Sequence, residues 1–310
     1  MVQQIKVLTD KITKNLNCKV ILHNFQVPVH SPLGILDNKQ KIGFIEFIGN
    51  INLRVVSQFK ENSQVFVFDY DAFCSKWGKE NILDYKMYYL GDIQVDFKYL
   101  PKLCEEYISY IKPLAGLTKK CIVLDLDNTL WGGIIGEDGL EGIKLGPTPE
   151  GRPFVEFQKY LLSLFNRGII LAINSKNNPE DAYKVIKEHP YMVLRENNFA
   201  SIKINWDDKV SNMKRIAEEL NLGMDSFVFL DDDYFNREMI KVSLPEVKVV
   251  DLPKDPSLYL KTLMELNDFN SFEFSKEDKQ RGQMYAQEKE RQNLHTTTTN
   301  ITEYLKALDM

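Results

Sequence analysis

The chain has 310 residues, 44% hydrophobic and 27% charged, so it is long enough for two domains and apolar enough to fill their cores. A net charge of −5 and a sequence pI near 5.6, with no basic stripe, argue against a nucleic-acid partner, because phosphate backbones are gripped by excess Lys and Arg. Cys18, Cys74, Cys104 and Cys121 form no CxxC, the histidines do not cluster, and neither a signal core nor an apolar run of the ~20 residues a membrane helix needs is present, so the expectation is a cytoplasmic protein with free thiols, no zinc site and no membrane partner.

From Ile5 to Asn24 the pattern predicts a short helix and then a strand at 19–24. A loop follows through 27–34, where two prolines and a glycine stop any regular element. Residues 41–59 read as helix, 64–73 as a strand feeding a helix, and 99–111 as a helix, which together make an α/β unit. Asp69-Tyr70-Asp71 follows its strand as a pair of acids, but residue 73 is Phe where a hydroxyl is wanted, so the two read as caps of the next helix. Pro113 and Gly116 then predict a linker, with units at 1–116 and 117–310.

The stretch Cys121 to Gly139 organises the second unit. Four apolar residues run into Asp125, Leu126, Asp127, Asn128 and Thr129, so a buried strand delivers two acids to its carboxyl end. Strand alternation puts Asp125 and Asp127 on one side and Leu126 on the other. Two like charges roughly 4 Å apart repel by about 4 kcal/mol at an effective dielectric of 20, a cost that a divalent cation removes, and the pairing therefore points to a metal and a phosphate.

Beyond it, 132–153 is rich in Gly and Pro, 153–166 is an amphipathic helix, and 168–174 is a strand ending at Ser175. Asn178 as N-cap, Pro179 at the first position and Glu180 and Asp181 in the first turn start the next helix. A helix at 207–220, a strand at 226–231, a helix at 235–243 and a strand at 246–252 complete the alternation. This predicts a mostly parallel, doubly wound sheet, whose ligands bind outside the carboxyl ends of the strands, where Asp125, Ser175 and Asp231 all fall. About 45 residues separate Asp127 from the second strand, too few for a large cap domain, so the site is expected to be open and to suit a macromolecular acceptor. Ser275 to Asn293 reads as a charged, solvated helix, and 301–310 as a last one.

The hexapeptide Leu124 to Thr129 resembles motif I of the haloacid dehalogenase superfamily. With DLDNTLWGGIIGEDG, ILAINSKNN at 170–178, NWDDKVSNM at 205–213 and VFLDDD at 228–233, the chain resembles the FkbH-like (HAD-IIIC) branch from about residue 20 to its end. The resemblance implies an α/β fold: a Rossmann-like domain with a minimal cap, preceded by a smaller α/β unit. That smaller unit resembles the tail of an SGNH-hydrolase-like domain without its Gly-Asp-Ser block. A chain that begins partway into that domain, and relatives that continue past residue 310, imply a fragment at both ends.

The implied chemistry is phosphoryl transfer, in which the protein mainly positions groups and neutralises charge. By resemblance Asp125 is the nucleophile, and Asp127 is the general acid and then the base. The implied cofactor is Mg²⁺, held by Asp125, the backbone carbonyl of Asp127, and Asp231 or Asp232; it needs few protein ligands because it retains several waters. Thr129 would brace the turn, while Ser175 and Lys209 would meet the phosphate. Trp131 either lies against ligand in the glycine-rich flap or closes the core, and Lys176, Asn177 and Arg195 are candidate contacts to a substrate carboxylate or phosphate, or surface groups. The family takes a phosphorylated three-carbon acid, 1,3-bisphosphoglycerate, and loads glyceryl onto an acyl carrier protein. Its loading members carry a cysteine shortly after VFLDDD, where this chain has Arg237, a residue suited to binding an anion or pairing with a helix-face acid. Three readings follow: a phosphatase or phosphotransferase on a small phosphorylated acid, a glyceryl loader with another acceptor route, and a non-catalytic scaffold that binds a carrier protein.

Overall fold

The computed structural model describes residues 1–272, and the helices expected at 275–293 and 301–310 lie outside the described residues. The chain divides after Ile111 into two units. The first contains α1 (Val2–Leu16), β1 (Val20–His23), α2 (Phe44–Phe59), β2 (Val65–Phe68), α3 (Tyr70–Trp77), α4 (Lys79–Ile82), α5 (Tyr85–Gly91) and most of α6 (Leu100–Leu114). β1 and β2 pair in parallel, with Val20 opposite Val65 and His23 opposite Phe68. Ile51, Val55 and Phe59 of α2 pack with Val65, while Phe68, Phe73, Cys74, Ile82 and Leu103 form a second cluster. Asp69 caps α3 by accepting from the Ala72 N–H at 3.0 Å, and Asp71 accepts from the Val27 N–H at 2.7 Å and pairs with Lys79 Nζ at 2.6 Å. Both acids are thus used locally, Asp69 as a helix cap and Asp71 to fasten the following loop.

α6 runs on through Pro113, where a break was expected. A proline in the last turn forfeits one ladder bond and leaves the rest of the helix intact. The helix instead closes at Gly116, whose φ of +71° lets its N–H reach Pro113 O at 3.2 Å while Leu117 N–H reaches Lys112 O at 2.9 Å.

The second unit contains β3 (Cys121–Leu124), α7 (Ile135–Gly142), α8 (Arg152–Asn166), β4 (Ile170–Ser175), α9 (Pro179–Glu188), β5 (Phe199–Ile204), α10 (Lys209–Leu220), β6 (Phe227–Asp231), α11 (Tyr234–Ser243), β7 (Lys248–Asp251) and α12 (Tyr259–Met264). Its five strands are all parallel in the order β5-β4-β3-β6-β7, so the winding reverses beside β3. That reversal is the topological switch point where such sheets bind ligands. Period-two alternation sorts the central strands between two cores. Ile122, Leu124, Leu171, Ile173, Val228 and Leu230 enter one core with Phe154 and Phe157 of α8. Cys121, Val123, Ile170, Ala172, Phe227 and Phe229 enter the other with Met213 and Ile216 of α10.

In this unit β5, α7 and α12 go beyond the expected set, as α4 and α5 do in the first. β5 is an edge strand, and its polar residues are covered by one glutamate: Ser201 Oγ donates to Glu219 at 2.6 Å, and Lys203 pairs with the same carboxylate. α7 carries Gly136, Gly139 and Gly142 and kinks at Gly139, whose φ is 67°. Between Asp127 and β4 lie only α7, α8 and a short flap in which Gly132 and Lys144 exchange backbone hydrogen bonds of 3.0 and 2.7 Å. No helix among the described residues is long and apolar enough to cross a membrane.

Candidate active site

The register of the sheet sets two acids side by side. β3 and β6 pair through Leu124 opposite Leu230, the ladder continues with Asp125 N–H donating to Leu230 O at 3.0 Å, and the next residue of β6 is Asp231. By alternation both acids follow the residues that face α10, the helix opened by Lys209. Asp208 caps that helix by accepting from Ser211 N–H at 2.8 Å, and Asn174 Nδ2 of β4 donates to Lys209 O at 2.9 Å, so the start of α10 is pinned. Lys209 Nζ, 1% exposed, then lies 3.0 Å from Asp125 Oδ1 and 2.5 Å from Asp231 Oδ2. Burial alone would lower its pKa, but the charges of Asp125 and Asp231 outweigh it and hold the ammonium above its usual value.

Asp232 sits at the same edge, partly exposed. One oxygen from each of Asp125, Asp231 and Asp232 lies within 4.8 Å of the others, close enough for a single ion to span. Asp125 Oδ1 is buried and faces the Lys209 ammonium at 3.0 Å. Asp231 is more committed, since Oδ1 accepts from Asp233 N–H at 2.9 Å and Oδ2 faces Lys209. Burial, then the charge of Asp125, raises both carboxyls of the Asp231-Asp232 pair, Asp232 to about 7. Oxygen donors that resist ionising together fit a hard divalent cation.

Asp127 belongs to a different arrangement. The regular strand stops at Leu124, and the turn residue Asn128 has a φ of +53°, so simple alternation does not carry through to Asp127. Its carboxylate is held by the following turn and by the loop after β4: Oδ1 accepts from Trp131 Nε1 at 2.8 Å and Ile135 N–H at 3.1 Å, and Oδ2 from Asn177 Nδ2 at 2.8 Å. Burial raises its pKa, these donors oppose the rise, and the charge of Asp125 adds to it. Such a carboxyl is suited to hold a proton, with one Oδ2 lone pair still free.

The remaining candidates sort by position. Trp131 is fully buried in the core cluster, and with Asn177 it orients Asp127 instead of lining a substrate pocket. Thr129 braces the turn with its backbone N–H, which donates to Leu126 O at 3.0 Å, while its Oγ1 is buried and without a hydrogen bond among the described residues. Ser175 is buried at the carboxyl end of β4, and Lys176 is exposed just beyond it. Arg195 precedes β5 and so lies at the opposite edge of the sheet, where its guanidinium donates to the carbonyls of Ile186, Lys187 and His189 at 2.8 to 3.2 Å. It clamps the end of α9 and is not a substrate contact. Arg237 is likewise a clamp, with Nη1 donating to Asp231 O at 2.7 Å and Asp232 O at 2.6 Å. Asn178 does not cap α9 through its side chain, which donates to Asp181 at 2.8 Å.

Two residues unmarked in the sequence reading also hold the site. Tyr259 OH donates to Asn128 O at 3.1 Å, and Asn174 anchors Lys209. A lone amide inside the apolar run of β4 was the available signal for Asn174, whereas nothing in the sequence around Tyr259 marks it.

Residues 2–112 match the family model described as FkbH, N-terminal domain. The solved structure of the N-terminal part of the protein BF1531 from Bacteroides fragilis, described as containing a phosphatase domain complexed with Mg, is 33% identical with a TM-score of 0.80, over 88% of this chain and 73% of that one. The chain belongs to the FkbH-like branch of the haloacid dehalogenase superfamily. No curated protein matches it. In this FkbH-like chain the acid edge just described belongs wholly to the second unit, while the family model matches the first.

Proposed function

We propose that the chain is a Mg²⁺-dependent phosphatase or phosphotransferase that acts through Asp125 on a small phosphorylated acid such as 1,3-bisphosphoglycerate, in the setting of acyl-carrier-protein biosynthesis. The observation that carries this reading is the buried Lys209 ammonium between Asp125 and Asp231, beside Asp232. It partly neutralises Asp125 and so holds it as a carboxylate, the form that attacks. The Mg²⁺-complexed relative supports the choice of cation. Mg²⁺ would be held by Asp125, Asp231 or Asp232 and the carbonyl of Asp127, and when bound would supply charge neutralisation at the transferring phosphoryl group.

An Asp125 oxygen attacks phosphorus, and the bond to the leaving oxygen breaks as that oxygen takes the proton held by Asp127. Asp127, now ionised and steadied by Trp131, Ile135 and Asn177, then takes a proton from the water or hydroxyl acceptor that attacks the aspartyl-phosphate, and Asp125 is released. Ser175 and Thr129 contribute hydroxyls near the strand ends, and Lys209 balances charge on Asp125 throughout. A glyceryl thioester on the chain itself finds no support at this edge. Arg237 occupies the turn after Asp231 and Asp232, and Cys121 is buried at the amino end of β3 with its thiol pKa pushed up by burial.

The test is phosphate release from an aryl phosphate with Mg²⁺ or with chelator, followed by a panel of phosphorylated acids with and without a carrier protein, read by phosphate and by intact carrier mass. Mg²⁺-dependent release is expected. No release under any of these conditions would favour a non-catalytic scaffold, and a glyceryl adduct on the carrier would identify a loader.

A further inference from the structure

We propose that Arg237 is a positioning residue that sets the turn presenting Asp231 and Asp232, and through that turn tunes the site's affinity for its divalent cation. This inference rests on the metal-dependent reading above. Arg237 lies in the first turns of α11, is 7% exposed, and reaches back along its own helix to the turn that precedes it. One nitrogen, Nη1, donates to two successive backbone carbonyls, Asp231 O at 2.7 Å and Asp232 O at 2.6 Å. Two carbonyls that converge on one donor fix the peptide planes of both residues, and with them the directions in which the two side chains leave the backbone.

The rest of the guanidinium has little else to do. Nε is buried without a hydrogen bond among the described residues, and its nearest acid, Asp251, is a largely exposed carboxylate 3.5 Å away. A buried guanidinium spent on backbone carbonyls is costly unless the geometry it imposes matters. Here that geometry belongs to two of the three carboxylates that converge within 4.8 Å. Groups that orient metal ligands from behind are worth roughly 10- to 100-fold in metal affinity when removed.

The experiment compares wild type, Arg237→Met, Arg237→Lys and Asp251→Asn by calorimetric titration with Mn²⁺ and Mg²⁺, by thermal unfolding without metal, and by aryl-phosphate turnover across a metal series. Arg237→Met is expected to bind the cation about 10- to 100-fold more weakly and to recover most of its kcat at saturating metal. Arg237→Lys, which keeps one donor in reach of the carbonyls, should fall between it and wild type, and it supplies the comparison if the Met variant does not fold. Asp251→Asn, which leaves both carbonyl bonds in place, should bind like wild type. Unchanged cation affinity in both Arg237 variants, with only the unfolding temperature lowered, would make Arg237 a structural brace and overturn the proposal. Equal weakening in Asp251→Asn would overturn the assignment to the carbonyl clamp. Wild type that binds neither cation would sink the metal-dependent reading and this inference together, an outcome distinct from either.

Discussion

At the scale of single residues, the two acids to which the proposed mechanism gives different roles also differ in their partners. Asp125 has the Lys209 ammonium 3.0 Å away, whereas Asp127 has three neutral donors and a pKa raised by burial. Asp125→Asn keeps the shape but cannot attack phosphorus, so turnover should vanish while the metal-free protein melts no lower than wild type, because the charge of Asp125 that raises the pKa of Asp127, Asp231 and Asp232 has gone. Residual turnover above a few per cent would remove Asp125 from the nucleophile role. Trp131→Phe deletes one donor to the Asp127 carboxylate, which raises that pKa further because hydrogen bonds to the charged form lower it. The limb of the kcat/KM profile that reports loss of the acid should therefore move to higher pH, and a profile that stays put would count against Asp127 as the acid. Asp125, Asp231 and Asp232 were legible in the sequence because each ends an apolar run where a charge is conspicuous, whereas Lys209 was picked out only by the resemblance of NWDDKVSNM to the family. Arg195 stayed open between substrate contact and surface group because order along the chain does not say at which edge of a sheet a residue stands.

At the scale of elements, the central strands and the edge strand β7 were read from the sequence and the edge strand β5 was not. β3, β4 and β6 are covered on both faces and read as apolar runs, but β5 carries Ser201 and Lys203 against Glu219, which interrupts the pattern expected of a parallel strand. α7 was hidden by three glycines, which normally argue against a helix. The flap offers a direct test. Gly133 has a φ of +94°, its N–H donates to Asn128 Oδ1 at 2.8 Å, and a Cβ there would collide with Asp138. Gly133→Ala should cost roughly 1–3 kcal/mol and lower kcat/KM, since the strained turn is tied to the loop carrying Asp127. Gly136→Ala, in the adjoining helix with open space around it, should be neutral or slightly stabilising. Equal effects of the two changes would show that the flap's backbone conformation is irrelevant.

At the scale of the whole molecule, the two units should answer acid in opposite ways. In the first, burial lowers the pKa of His23 from 6.5, so between that value and its folded pKa the unfolded chain binds the extra proton and stability is lost as pH falls. In the second, Asp127, Asp231 and Asp232 have raised pKa values, Asp232 about 7 against a usual 3.8. There the folded state binds more protons between about pH 4 and 7, and stability is lost as pH rises through that window. His189, lowered by burial, opposes this trend as a single group against three. Calorimetry at pH 5.5 and 7.5 should therefore resolve two transitions that shift in opposite directions without metal. Saturating Mg²⁺ should raise the second transition, and more so at pH 7.5, because it binds the ionised acids. Parallel shifts of both transitions would contradict this balance of charges.

The indole that holds Asp127 is also an optical probe of the proton that the proposed mechanism moves. Of the three tryptophans, Trp206 is 75% exposed and open to a collisional quencher, whereas Trp131 is sealed in the core with its N–H on the proton-carrying carboxylate. In a background of Trp77→Phe and Trp206→Phe, the emission of Trp131 should shift as Asp127 gains or loses its proton and stay constant in Asp127→Asn. Stopped-flow fluorescence would then time the proton transfer separately from phosphate release, with no label attached to the protein or its substrate.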